Sequence, residues 1–223
     1  TEMKIASVSA ANIKLGFDAG NYNISQIKAG AYGITELLNG SFTMVHLSAT
    51  GGFNVAQMKA ASISAANVQL AFDAGNYNIS QIKAGAYGIT ELLAGNFTIT
   101  HLSAAGGFNA SEMKTANIDG SQVKGFYDIH VLKEANYTIS DLFVTDGFSI
   151  TELSANNSNT GTSFFNVSEM KAASISAADM KLAFTAENYT ISEIKASYSI
   201  TELFVTNGFS MSDLSSNGGF SVT

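Results

Sequence analysis

The sequence predicts an all-α fold, a solenoid of short helices of about two turns each, in ten-residue units with five units to a 55-residue cycle. Three observations predict it. The segment Phe17 to Leu38 (FDAGNYNISQIKAGAYGITELL) recurs unchanged at Phe72 to Leu93, which defines a 55-residue internal repeat. Within it, each unit reads aromatic, Ser/Thr/Asn, Ile/Val/Met, Ser/Thr/Ala, Glu/Gln/Asp, Leu/Ile/Met, often Lys, then small residues. That order is the signature of a helix start: a capping side chain, an acceptor three residues on that reaches back, and a hydrophobic staple across them. Finally, the long first unit of a cycle exceeds the others by four residues, close to one helical turn of about 3.6.

Taken in order, residues 1–7 close a preceding unit, and the cycles run 8–62, 63–117, 118–174 and 175–223. The first cycle opens its units at Val8, Tyr22, Tyr32, Phe42 and Phe53, and the second at Ile63, Tyr77, Tyr87, Phe97 and Phe108. The third follows with Ile118, Tyr127, Tyr137, Phe148 and Phe165, and the fourth with Ile175, Tyr189, Tyr198, Phe209 and Phe220. Each cycle thus carries one β-branched, two Tyr and two Phe units. In Phe148-Ser149-Ile150-Thr151-Glu152-Leu153, Ser149 is the expected N-cap, Glu152 the acid that reaches back, and Phe148 the staple on Leu153. The fourth unit gains one residue as Gly51-Gly52, Gly106-Gly107 or Asp146-Gly147, where Gly suits a left-handed residue past a helix end. Helices this short fall below the ~12–15 residues needed for stability alone, so stacking of neighbours must hold them. The chain reads as one continuous repeat domain over 1–223, with a polar insertion at Asn156 to Ser163 as a surface loop.

The string also divides every five residues, as in Ser111-Glu112-Met113-Lys114-Thr115 and Ala116-Asn117-Ile118-Asp119-Gly120. In that register it resembles the pentapeptide-repeat family, which implies a right-handed β-solenoid as the alternative fold. The recurrent Ile24, Ile34, Ile79, Ile89 and Ile99, the insertions, and a cycle of eleven pentads depart from that pattern. Nearly the whole chain is similar to decapeptide arrays of the form GYTxxELxxA, a resemblance that implies strings of short helices and no particular chemistry.

Composition narrows the function. With 11 basic and 18 acidic residues, a net charge of −7 argues against nucleic acid, whose binding is led by Lys and Arg on phosphate. There is no Cys, Pro or Trp, so disulfides and thiolate-bound metals contribute nothing. No apolar run approaches the ~20 residues of a membrane helix, and Thr1 onward shows no signal-peptide pattern, which implies a processed or excised segment. Phe220 to Thr223 opens a Phe unit and Glu2 to Ser7 closes one, as Glu169 to Ser174 does. The expectation is a window of a longer array, or a subunit that stacks head to tail with copies of itself.

Candidate chemistry is sparse. His46 and His101 share one slot, where other units carry an acid, and would form a pH- or metal-responsive ladder only if the cycles align; capping is the simpler role. His130 lies in another slot. Glu36, Glu91, Glu152 and Glu202 recur as expected caps rather than as catalytic carboxylates. No nucleophile elbow or phosphate-binding glycine pattern appears, so no catalytic, cofactor or metal residue is assigned and the chain reads as non-enzymatic. Tyr22/Tyr32 and Tyr77/Tyr87 are staples, or a sugar-stacking row if exposed. Sequons stand at Asn23, Asn78, Asn96, Asn136, Asn166 and Asn188, open to glycosylation on a secretory route. The expected function is a structural repeat protein that forms or extends a filament or fibre at an extracellular, cell or virion surface. The alternative is an adhesin or a stalk that binds glycan or a partner through one face; an ice-binding solenoid is weaker still, because no slot sustains regular Thr pairs.

Overall fold

The computed structural model describes residues 2–156, 163–205 and 208–221. Of these, 54% are helical, in twenty short helices, and the one strand-like feature is an isolated bridge between Asn156 and Ser163. The all-α class follows, and the β-solenoid alternative is disfavoured. The chain divides into two compact units, Thr1–Asn109 and Ala110–Thr223.

The first unit contains α1 (Glu2–Ile5), α2 (Ala10–Asp18), α3 (Ile24–Ala29), α4 (Ile34–Asn39), α5 (Met44–Ser48), α6 (Val55–Ala60), α7 (Ala65–Asp73), α8 (Ile79–Ala84), α9 (Ile89–Ala94) and α10 (Ile99–Leu102). The second contains α11 (Ala110–Thr115), α12 (Gly120–Val123), α13 (Ile129–Glu134), α14 (Ile139–Leu142), α15 (Ile150–Ser154), α16 (Val167–Ala172), α17 (Ala177–Thr185), α18 (Ile191–Lys195), α19 (Ile200–Leu203) and α20 (Met211–Leu214). Apart from the nine-residue α2, α7 and α17, each helix has four to six residues. That is about 1.1 to 1.7 turns, shorter than the two turns the pattern suggested, because the corner takes up the remainder of the ten.

Residues 32–42 show how a unit closes on ten. Tyr32 precedes the N-cap Gly33, α4 follows, and Gly40 is the C-cap. Ser41, left-handed at φ 70°, comes next, and its N–H donates to the Leu38 carbonyl at 3.0 Å. Phe42 donates its N–H to the Leu37 carbonyl at 3.0 Å, which completes a Schellman end. Phe42 then stands immediately before Thr43, the N-cap of α5. One aromatic residue therefore ends one helix and staples the next, and the period of ten is the sum of these shared positions.

The long units divide their extra four residues. Three lengthen the helix and one enters the corner, where Gly20 and Gly75 take positive φ. Glycine has two distinct roles. Gly51, Gly106 and the substituting Asp146 are left-handed, as their place in the sequence indicates. Gly40 and Gly95 have ordinary negative φ. A Cβ on Gly40 would lie 2.5 Å from Ala10 Cβ and 2.6 Å from its carbonyl carbon, and Gly95 meets Ala65 in the same way. These glycines let a helix end sit against the start of a long helix, and the left-handed strain falls on Ser41 and Asn96 instead.

The core is built from three positions per unit: the aromatic, the first helical residue and the fourth. Tyr87, Ile89 and Leu92 are all buried, as are Phe148, Ile150 and Leu153. Within the first unit α2 packs on α4, α5 on α7, α6 on α8, and α7 on α9. Within the second, α11 packs on α13, α12 on α14, and α15 on α17. Each of these pairs joins a helix to the second one along, so for them the neighbour in sequence is not the main neighbour in space.

Candidate functional site

The chemistry-bearing side chains gather at one recurrent contact. All eleven basic residues are lysines, and each places its Nζ over an aromatic ring at 4.4 to 5.8 Å from the ring centroid. Such cation–π contacts contribute roughly 0.5–1 kcal/mol at exposed sites and more when desolvated.

Lysines of one slot meet a Tyr unit. Lys59, on α6, lies 4.4 Å from the centre of the Tyr87 ring and 2.5 Å from the Glu91 carboxylate on α9. Lys4 repeats this with Tyr32 and Glu36, Lys114 with Tyr137 and Asp141, and Lys171 with Tyr198 and Glu202. The phenol completes the contact. Tyr87 donates to the Ile63 carbonyl at 2.6 Å, Tyr137 to Ile118 at 2.8 Å and Tyr32 to Val8 at 2.8 Å.

Lysines of the other main slot meet a Phe unit, which has no hydroxyl, and the ammonium itself satisfies the backbone. Lys28 lies over Phe53 and donates to the Gly52 carbonyl at 2.7 Å and to Gln57 Oε1 at 2.9 Å. Lys124 does the same with Phe148, the Gly147 carbonyl and Glu152. In these two slots a different group donates to a corner carbonyl: the phenol in the first, the lysine in the second.

A third slot lies on the long helices. Lys14 and Lys181 each sit between two rings, Phe17 and Phe42 for the first, Phe184 and Phe209 for the second. Lys14 pairs with Asp18 at 2.5 Å, and Lys181 pairs with Asp213. In the second cycle this position is Gln69, buried, with Nε2 donating to Asp73 at 2.7 Å and Oε1 left without a partner.

The expected caps take their places. Glu152 accepts the Ser149 N–H at 2.7 Å while Ser149 Oγ accepts the Glu152 N–H. Glu36 and Glu91 reach back to Gly33 and Gly88, whose missing side chains leave the other half of the box unmade. Hydrogen bonds from lysine and cap hold these acids down: Lys171 first and then Ser199 keep Glu202 at about 2, and Lys181 then Ser210 keep Asp213 at about 2. His46 and His101 also act as caps, their Nδ1 atoms accepting the Thr43 and Thr98 N–H groups at 3.2 and 3.3 Å. His130 lies on α13, and among the described residues no group of three His, Asp or Glu is arranged to hold a metal.

Tyr32, Tyr77 and Tyr87 are buried staples, so no sugar-stacking row forms from them, and Tyr22 is half-buried. Burial first, then a neighbouring phenol or carboxylate, pushes Tyr77, Tyr87, Tyr137 and Tyr198 up to about 12. The sequon asparagines differ. Asn23, Asn78 and Asn166 cap helices through Oδ1, whereas Asn188 uses Nδ2 to donate to the Thr151 carbonyl and Ser154 Oγ. A glycan on Asn188 would displace those bonds. Of the polar insertion, Asn156 and Ser163 are joined by the bridge and a 3.3 Å side-chain bond, and residues 157–162 lie outside the described residues. No described helix is long and apolar enough to cross a membrane.

The lysine ties are not legible within a single unit, where Lys stands only as a frequent ending. Their signal was there: Lys4, Lys59 and Lys114 recur at 55, each followed by a Tyr and, four residues beyond it, an acid. Comparison with family models, curated proteins and solved structures finds no match for this chain.

Proposed function

We propose that this chain is a non-enzymatic structural repeat protein, a solenoid of short helices that forms or extends a filament or surface fibre. The observation that supports it most is the lysine contact. Every basic side chain is engaged in holding one unit to another or one helix to itself. Packing joins second neighbours, and the ties of Lys59 to Glu91 and Lys133 to Glu169 join third neighbours, α6 to α9 and α13 to α16. Second- and third-neighbour contacts together fit a coil of about 2.5 units, so that five units make two coils. On this reading the cycle is five units long because identical slots return to the same side only after two coils.

The contacts that join coils use the same residue types throughout, and a second copy presents the same set. We therefore propose self-association through coil-to-coil stacking, in an extracellular, cell-surface or virion-surface setting, along the lines of the decapeptide arrays that the sequence resembles. Sedimentation velocity over a concentration series tests it. Species that grow continuously with concentration are expected, and a monomer or closed oligomer at every concentration would overturn it.

A partner-binding stalk is the second reading, favoured by one observation. Phe143-Val144 and Phe204-Val205 follow α14 and α19 in equivalent places and are exposed. Replacing both Phe residues with Ser would leave assembly intact and abolish adhesion to a host surface if this second reading holds.

A further inference from the structure

Fourteen helices among those described have a residue at their third position that reaches back to the N-cap N–H, and in all but two that residue is Gln, Glu or Asp. The exceptions are His46 on α5 and His101 on α10. An amide oxygen accepts at every pH of interest, and a carboxylate does so down to strong acid. An imidazole nitrogen accepts only while it is unprotonated. Because Nδ1 takes the Thr43 N–H, the hydrogen bond assigns the ring proton to Nε2, and the same holds at Thr98.

We propose that His46 and His101 make α5 and α10 acid-releasable corners. Protonation puts N–H against N–H at the box and a positive charge at the positive end of the helix dipole, so the imidazole's half of the box is lost and the first turn is weakened. The Thr side chain still accepts from the His N–H at 3.2 and 3.3 Å, but holds the turn alone.

The surroundings are consistent with this. His46 lies 5.1 Å from the Phe17 ring of α2 and edge-on to Phe42 at 6.2 Å, and His101 stands likewise against Phe72 and Phe97. The charged groups facing His46 are Lys14 and Asp18 of α2, themselves an ion pair, while the ionisable group of α7, which packs on α5, is Asp73. At His101 the place of Lys14 is taken by Gln69, with Asp73 beyond it. Burial, then Lys14, lowers the His46 value. The open α5 corner therefore binds the proton first: its closure is complete above the ordinary histidine value of ~6.5 and is lost as pH falls below it. Release at α5 reaches further, because Asn76 donates from beyond α7 to the Val45 carbonyl and Ser48 Oγ at 3.1 and 2.8 Å.

This inference does not depend on the filament reading, since the corner opens in one chain or in an assembly. Hydrogen-exchange mass spectrometry of the full chain between pH 7.5 and 5 tests it, with rates corrected for intrinsic pH dependence. Peptides covering α5 and α10 are expected to lose protection by about tenfold, while those covering α3 and α8, capped by Gln26 and Gln81, stay unchanged. The double variant H46Q/H101Q, which installs the residue used in those boxes, should abolish the loss. Unchanged protection at α5 and α10 down to pH 5, or an equal loss at α3 and α8, would overturn the proposal, and the wild-type series alone suffices for either result.

Discussion

A lysine in this protein does three things at once: it covers an aromatic ring, meets an acceptor, and spans the gap between units. The Lys59–Glu91 pair is more than a third exposed on both sides, so screening reduces its electrostatic part and the ring contact carries much of the effect. Lys59→Met, which keeps the stem and removes the charge, should cost about 0.5–1 kcal/mol in urea unfolding. Gln69 tests the converse. Gln69→Lys removes an orphaned buried acceptor and places an ammonium between Phe72 and Phe97 beside Asp73, as Lys14 and Lys181 are placed in their cycles. It should stabilise the protein by about 1 kcal/mol, measured by the same unfolding; a loss of stability would mean that the pocket cannot admit the longer side chain. The buried phenols set the alkaline limit. Their folded values of about 12 lie above the ordinary value near 10, so the stability they contribute is full below pH 10 and is lost as pH rises through 12. Phenolate absorbance and loss of helical circular dichroism should therefore rise together in that window, rather than the phenols titrating first in a folded chain.

At the level of the element, the ten-residue unit is a Schellman end and a capping box that share one aromatic. In two units the acid reaches back but the N-cap side chain is missing. Gly33 and Gly88 sit at N-caps in extended conformation, and a Cβ added at either would meet nothing within 4 Å. Gly33→Ser and Gly88→Ser should each stabilise by a few tenths to about 1 kcal/mol, by adding the missing acceptor and by stiffening the unfolded chain. Gly40→Ala should do the opposite, at a cost of about 1–3 kcal/mol, since its Cβ would meet the backbone at Ala10 rather than a movable side chain. Differential scanning calorimetry separates the two signs. Caps, staples and the long helices were legible in the sequence because their partners lie within four residues. The role of Gly40 was not, because the cause is Ala10 on another helix. Nor were the lysine ties, whose partners lie 32 residues away in the case of Lys59 and Glu91 and become visible only when the fold brings the two together. The two histidines were legible as caps from their slot alone, and their acid sensitivity required knowing that Nδ1 is the accepting atom.

At the scale of the whole molecule, stability is proposed to lie in the joints between coils rather than in any one helix, since no described helix is long enough to persist in water. Ties between third neighbours and packing between second neighbours would make each proposed coil adhere to the next by one set of contacts, which a second copy of the chain would offer as well. Electron microscopy of the purified protein at neutral pH tests this central claim most directly. Unbranched filaments of a single narrow width that lengthen as concentration rises are expected. Discrete particles of fixed size at every concentration would contradict it.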